Sequence, residues 1–164
     1  MKKFELTSES IFHWGRKLFR IKALVSFGDI EAGDLGGFVE KEENLSQEDN
    51  AWVCGNAKVY GNAKVYGNAE VCGNAWVCGN AEVCGNAEVS NNGDYATVKG
   101  FGSEYRHTTF FRTKEKELAV RCGCFLGTLA EFRLKVTERH GESKMGKEYL
   151  MLADLMEYKF REEE

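Results

Sequence analysis

The densest group of polar and aromatic side chains outside the internal repeat lies at positions 105–113, which read Tyr-Arg-His-Thr-Thr-Phe-Phe-Arg-Thr. Alternation along a strand predicts two faces, with Arg106, Thr108, Phe110 and Arg112 on one and His107, Thr109 and Phe111 on the other. Forked guanidinium donors, a hydroxyl and a ring on one face suit a phosphate attached to a base. The alternative is an ordinary amphipathic strand whose phenylalanines point inward.

Positive charge near this strand supports an anionic ligand. Arg121 falls on the next predicted strand, and Lys99 precedes the segment. The predicted ligand-binding residues are Arg106, His107, Thr108, Thr109, Phe110, Arg112 and Arg121.

Catalytic and metal-binding patterns do not emerge from the remaining reactive residues. The three histidines are His13, His107 and His140, and no Ser-His-Asp or Cys-His arrangement follows from their spacing. The glycines around Phe101 are too few for a phosphate-binding loop and lack its helix context. Cys122 and Cys124 are spaced Cys-x-Cys without a second ligand pair, unlike a zinc site. We therefore predict no enzyme activity, no catalytic residues, no metal and no cofactor.

Composition limits the partners. The 164 residues carry a formal net charge of −4 and a pI of about 5.5, which argues against electrostatic binding to duplex nucleic acid or an anionic membrane. There is no apolar run near the roughly 18 residues of a membrane span, and Met1–Leu6 does not resemble a signal peptide. We expect a soluble protein of the cytoplasm.

A repeat of six residues runs through the middle of the chain. The unit Asn-Ala-x-Val occurs seven times from Asn50 to Asn86, and a glycine precedes six of these units. Its valines and alanines are predicted to point inward, while Gly-Asn supplies a corner. An aliphatic residue followed four later by a small one is typical of left-handed β-helices, in which residues 18 apart stack. Such stacking would place Lys64 against Glu82 and Lys58 against Trp76.

Four cysteines occupy one position of this repeat. They are Cys54, Cys72, Cys78 and Cys84, and the same position also holds Tyr60, Tyr66 and Ser90. A position that accepts Cys, Tyr or Ser indicates a repeat slot and not a disulfide framework, so reduced thiols are expected.

Exposed aromatic residues on the repeat raise the question of assembly. A solvated face is one interpretation of this outer surface. The other is a subunit interface formed in part by Trp52, Tyr60, Tyr66 and Trp76.

The flanks of the repeat differ from it in pattern. Strands are predicted at 2–7 and 16–27, and after Asp94 at Tyr105–Thr113 and Leu118–Phe125. A capping box at Thr128 and Glu131 predicts a helix that ends at Gly141, and a second helix is expected to start near Ser143.

Together these patterns predict a mainly β fold with α-helices: a short left-handed parallel β-helix, an N-terminal β cap and a C-terminal ββαα module. The predicted divisions are residues 1–44 for the cap and a degenerate first coil, 45–93 for the repeat, and 94–164 for the module.

The order of these parts resembles a family of phage and prophage hexapeptide-repeat proteins of poorly assigned function. The likeness rests on Lys17–Ile21, Gly33–Gly37, the Gly-Asn-Ala-x-Val repeats, Thr108–Arg112 and Cys122–Leu129. It implies a viral or prophage origin, and hence the host cytoplasm, but it implies no catalytic residues. The left-handed β-helix superfamily, to which the repeat is also similar, habitually forms trimers.

These features leave three functions open. The leading hypothesis is a homo-oligomer, a trimer or a multiple of it, that sequesters a small anionic ligand such as a host immune signalling nucleotide. Its ligand class rests on analogy with phage proteins that counter host defence. The first alternative is a polymer-forming or virion-associated scaffold. The second is a hexapeptide acyltransferase, which the absence of histidine from the repeat disfavours.

Overall fold

The computed structural model describes residues 1–161, and residues 162–164 lie outside the described part. The described strands, in chain order from β1 to β14, are Phe4–His13, Arg16–Ala23, Leu35–Val39, Trp52–Val53, Lys58–Val59, Lys64–Val65, Glu70–Val71, Trp76–Val77, Glu82–Val83, Glu88–Val89, Tyr95–Phe101, Arg106–Arg112, Leu118–Cys122 and Phe125–Thr128. The helices α1 and α2 span Leu129–His140 and Lys144–Lys159.

The predicted fold class is wrong. The described chain is a mixed β structure with two α-helices, arranged in several small sheets, and it is not a left-handed β-helix with a separate cap. Each repeat unit contributes a strand of only two residues. The antiparallel strands β1, β2 and β3 continue directly into the parallel strands β5 and β8, which makes one mixed five-stranded sheet.

The predicted register within the repeat is confirmed. Lys64 pairs with Glu82 and Lys58 pairs with Trp76, each across parallel strands. The small sheets β10-β7-β4 and β6-β9 carry the remaining units. Val59 and Ala57 are fully buried, as the alternation predicts, because both point into one core shared by the repeat.

The stacking also corrects the prediction of reduced thiols, because Cys54 and Cys72 form a disulfide. Pairing of β4 with β7 brings their Cα atoms to 4.6 Å, within the usual span of a disulfide. The predicted stacking of residues 18 apart is what brings these two thiols together, although the same repeat position also holds Tyr60, Tyr66 and Ser90. Cys78, Cys84, Cys122 and Cys124 are free.

Trp52 does not belong to an exposed interface. Its ring is only 3 % exposed and packs edge-on against Phe4 and Phe27. The N-terminal strands therefore cover the face of the repeat that carries Trp52. The role of Tyr60, Tyr66 and Trp76 in assembly stays a prediction.

The C-terminal module contains four strands and not two, so the predicted ββαα order is wrong. Strands β11, β12, β13 and β14 form one antiparallel sheet. The first was missed because charged Lys99 and Gly100, which has no side chain, interrupt its alternation. The last was merged with β13, although Gly123 with φ +58° makes a tight turn between them.

Both predicted helices are confirmed. Thr128 accepts a hydrogen bond from the Glu131 amide and closes a capping box at the start of α1, and Gly141 ends that helix. Ser143 caps α2. The helices pack on one face of the module's sheet, and the other face contacts the repeat through Phe111. Within residues 1–161, neither helix is long and apolar enough to span a membrane.

Candidate functional site

The strand β12, which carries most of the predicted ligand-binding residues, is largely buried. Phe110 is fully buried and packs edge-on against Phe132 at 6.1 Å between ring centroids, on the side of the helices. Thr108 is buried as well, and its hydroxyl lies 3.3 Å from the sulfur of Cys122. The ring and hydroxyl that were expected to meet a ligand therefore belong to the interior.

Three other predicted residues, Arg112, Arg121 and Thr109, form contacts with residues distant in sequence. Arg112 Nε lies 3.2 Å from the Asp94 carboxylate, and its Nη2 donates to the Phe160 carbonyl. Arg121 Nε donates to Glu82 at 3.2 Å, and its guanidinium lies near the Tyr66 ring.

Thr109 completes this junction, since its hydroxyl accepts a hydrogen bond from the Glu82 amide. Charges that were expected to attract an anion are thus largely neutralised by contacts within the chain. Ligand binding by these residues stays a prediction.

Arg106 and His107 differ from the others because they face open space. His107 Nε2 lies 2.8 Å from Asn80 Nδ2 on the repeat. Arg106 is exposed and forms a close ion pair with Glu104, which raises the pKa of its guanidinium. Of the seven predicted residues, Arg106 is the one that lines the cavity of the C-terminal module.

That cavity has a volume of about 400 Å³ and opens between α1, α2, the β13–β14 turn and the loop after β11. Its wall is aromatic. The Phe132 ring lies 5.9 Å from Phe125 and 5.7 Å from Tyr149, and Phe101 lies 6.4 Å from Tyr149. Phe101 and Phe125 are half-buried, so ring surface is open to an occupant.

The rim of the cavity is basic. Arg106, Lys135 and Arg139 contribute positive charge, and His140 lies beside them with its ring 5.7 Å from Tyr149. Glu104 is the one carboxylate among the described residues that line the cavity. An aromatic wall with a positive rim complements a flat ring that carries negative charge at one end.

Tyr149 and Cys122 supply polar groups inside the cavity. Tyr149 Oη lies 3.9 Å from Cys122 Sγ. Burial, and then the neighbouring thiol, raises the pKa of Tyr149 to about 12. The phenol therefore stays protonated at neutral pH and can donate a hydrogen bond to an occupant.

The helix α1 carries a sequence signal for this cavity. Phe132, Val136, Lys135, Arg139 and His140 follow the spacing of one helical face, so an apolar stripe runs beside a basic one. The helix was predicted from its capping box, and the basic edge beside its apolar face was not used. The contribution of Tyr149 and Phe101 depends on long-range packing and has no local signal.

Metal binding finds no support in the described part of the chain. Among residues 1–161, no group of three or more His, Cys, Asp or Glu side chains is arranged to hold an ion.

Comparison with known proteins adds no family. No family model matches the chain, and no curated protein shows significant similarity to it.

Proposed function

We propose that this chain is a non-enzymatic binding protein whose C-terminal cavity holds a small anionic ligand with an aromatic ring, such as a nucleotide. The observation that carries the proposal is the combination of an aromatic wall and a basic rim in one cavity of about 400 Å³. That volume falls in the range of small-molecule sites. The class of ligand is the predicted one, but its site is the cavity beside β12 and not the face of that strand.

Each part of the cavity has a role in this proposal. The half-buried rings of Phe101 and Phe125 stack on the base. Arg106 offers a planar fork of donors to phosphate, and Lys135 and Arg139 add charge. The Tyr149 hydroxyl hydrogen-bonds a polar edge of the ring.

The biological setting is proposed on the resemblance alone. A phage-encoded protein with this cavity would act in the host cytoplasm and sequester a host signalling nucleotide. Sequestration needs tight binding without turnover, so the ligand must leave the protein chemically unchanged.

Assembly into a homo-oligomer is the second part of the proposal, and exposed apolar side chains support it. Met151, Leu155 and Tyr158 on α2 are 68 %, 57 % and 71 % exposed and share one face by their spacing. A second copy of the chain would bury this face. Leu155→Lys should lower the molecular mass measured by light scattering. A wild-type protein with the mass of a monomer would contradict the idea.

Native mass spectrometry of the protein purified from cell extract tests the proposal. We expect an added mass of nucleotide size, released intact by heat, and its loss in Arg106→Ala. Lys147→Ala is the matched control, because Lys147 is an exposed cation on α2 away from the cavity. A ligand-free mass that persists across a panel of nucleotides would overturn the proposal. Conversion of the nucleotide would indicate an enzyme, including the acyltransferase alternative, and fibres at micromolar concentration would favour the scaffold.

A further inference from the structure

A second cavity adjoins the first on the far side of Arg106. It is a groove of about 630 Å³ between the repeat and the C-terminal module. Asn62 and Asn80 line it from the repeat, and His107 and Gly123 line it from the module. Arg106 lines both cavities, so its guanidinium lies at their boundary.

The groove differs chemically from the aromatic cavity. Of its described lining residues, none is Phe, Tyr or Trp, and amide, carboxylate and ammonium groups dominate. Lys41 Nζ donates to Asn62 Oδ1 at 3.2 Å, and Asn80 Nδ2 meets His107 at 2.8 Å. Exposed amides that both donate and accept suit hydroxyl groups, which do the same.

The backbone of the β13–β14 turn leaves room for Arg106 between the two cavities. Gly123 has φ +58°, and a Cβ added there would overlap Arg106 Nη1. The arginine therefore lies directly over the turn. Glu104 neutralises it in the absence of a ligand, and both side chains are exposed enough for a phosphate to replace the carboxylate.

We propose that the two cavities bind one bipartite ligand of the nucleoside diphosphate sugar class. The base lies in the aromatic cavity, the phosphates meet Arg106 at the boundary, and the sugar occupies the groove. This inference rests on the proposed function, because it uses the same cavity for the base. A second base would find no Phe, Tyr or Trp ring in the groove on which to stack.

Calorimetric titration with matched probes tests the inference. The probes are UDP against UDP-glucose, and ADP against ADP-glucose. In at least one pair, we expect the sugar conjugate to bind about tenfold more tightly than the diphosphate, as one or two hydrogen bonds to the sugar would give. The double variant Asn62→Ala and Asn80→Ala should abolish that ratio while it leaves diphosphate affinity unchanged.

Asn74→Ala provides the control, since Asn74 occupies the same repeat position and is exposed away from the groove. Equal affinity for diphosphate and sugar conjugate, with both still lost in Arg106→Ala, would overturn this inference and leave the proposed function intact. Tighter binding of the dinucleotide ApA than of either sugar conjugate would also overturn it. Failure of every probe to bind would contradict both proposals together.

Discussion

The guanidinium of Arg106 lies directly over Gly123, so closely that a Cβ on that glycine would overlap Arg106 Nη1. The two residues belong to neighbouring elements, β12 and the β13–β14 turn, and the turn needs a positive φ at this point. Glycine at this position adopts the positive φ of the turn and also leaves room for the Arg106 side chain. Nucleotide binding in the aromatic cavity and the bipartite ligand both depend on Arg106 staying at this position.

Gly123→Ala should displace Arg106 and weaken nucleotide binding. We expect an affinity for UDP or ADP about tenfold lower, because a charge-assisted contact is lost. The positive φ should also reduce the free energy of unfolding by about 1 kcal/mol. Titration calorimetry and chemical denaturation measure the two effects.

Gly28→Ala controls for backbone strain alone. Gly28 has a similar φ of +50°, and an added Cβ there would meet nothing within 4 Å. Gly28→Ala should reduce the free energy of unfolding by a similar amount and leave the affinity for UDP and ADP unchanged. Unchanged binding in Gly123→Ala would show that the position of Arg106 does not matter.

Phe110→Leu and Phe125→Leu separate the predicted binding strand from the cavity. Phe110 is fully buried, so its substitution should lower the free energy of unfolding by about 1–2 kcal/mol and leave affinity unchanged. Phe125 is half-buried at the cavity wall, and its loss should weaken nucleotide binding severalfold. If Phe110→Leu weakened binding and Phe125→Leu did not, the site would lie on the face of β12 that carries Phe110.

Local patterns in the sequence predicted the local structure well. The capping box at Thr128 and the inward valines of the repeat follow from short-range rules, and both are confirmed. The pairing of residues 18 apart followed from the period and is confirmed as well. The named fold class was wrong, because a period cannot show that β3 joins the N-terminal hairpin to β5 within one sheet.

The site, too, depends on contacts between residues that are distant in sequence. Alternation placed Arg106 and Phe110 on one face of β12, but burial of Phe110 depends on where α1 packs. The cavity is lined by residues from six elements, the strands β11 to β14 and both helices, and only the face of α1 shows a pattern that the sequence could reveal. The ion pairs that engage Arg112 and Arg121 likewise join residues distant in sequence.

Removal of the Cys54–Cys72 disulfide should destabilise the repeat. The bond closes a loop over a sequence separation of 18, which corresponds to about 3 kcal/mol of chain entropy. Cys54→Ser with Cys72→Ser should lower the melting temperature by roughly 6–12 °C under oxidising conditions. Reductant should have the same effect on the wild type and none on the double variant. Cys124→Ser, which leaves the bond intact, should melt as the wild type does, and equal melting with and without reductant would contradict the bond.

Lys3 should make stability depend on pH. Its side chain is 4 % exposed, and Nζ donates to the carbonyls of Asp49 and Ala51. Burial lowers the pKa of Lys3 from 10.5 to about 8, although the Asp49 carboxylate opposes the shift. The unfolded chain therefore holds a proton that the folded chain releases between these values, so the contribution of Lys3 to stability rises with pH across this window.

Lys3→Met removes that titration. From about pH 7.5 to about pH 10, the wild type should gain stability relative to the variant, by at most about 3 kcal/mol. Denaturation at a series of pH values measures the difference. A constant difference between the two proteins would show that Lys3 does not titrate in this range.

Binding of a nucleoside diphosphate to the C-terminal cavity is most directly tested by calorimetric titration of ADP and UDP into the wild type, Arg106→Ala and Lys147→Ala. At least one diphosphate should bind the wild type and Lys147→Ala equally at a single site per chain. Arg106→Ala should bind it about tenfold to about a hundredfold more weakly. Equal affinity in all three proteins, or no heat of binding with either diphosphate, would contradict the account.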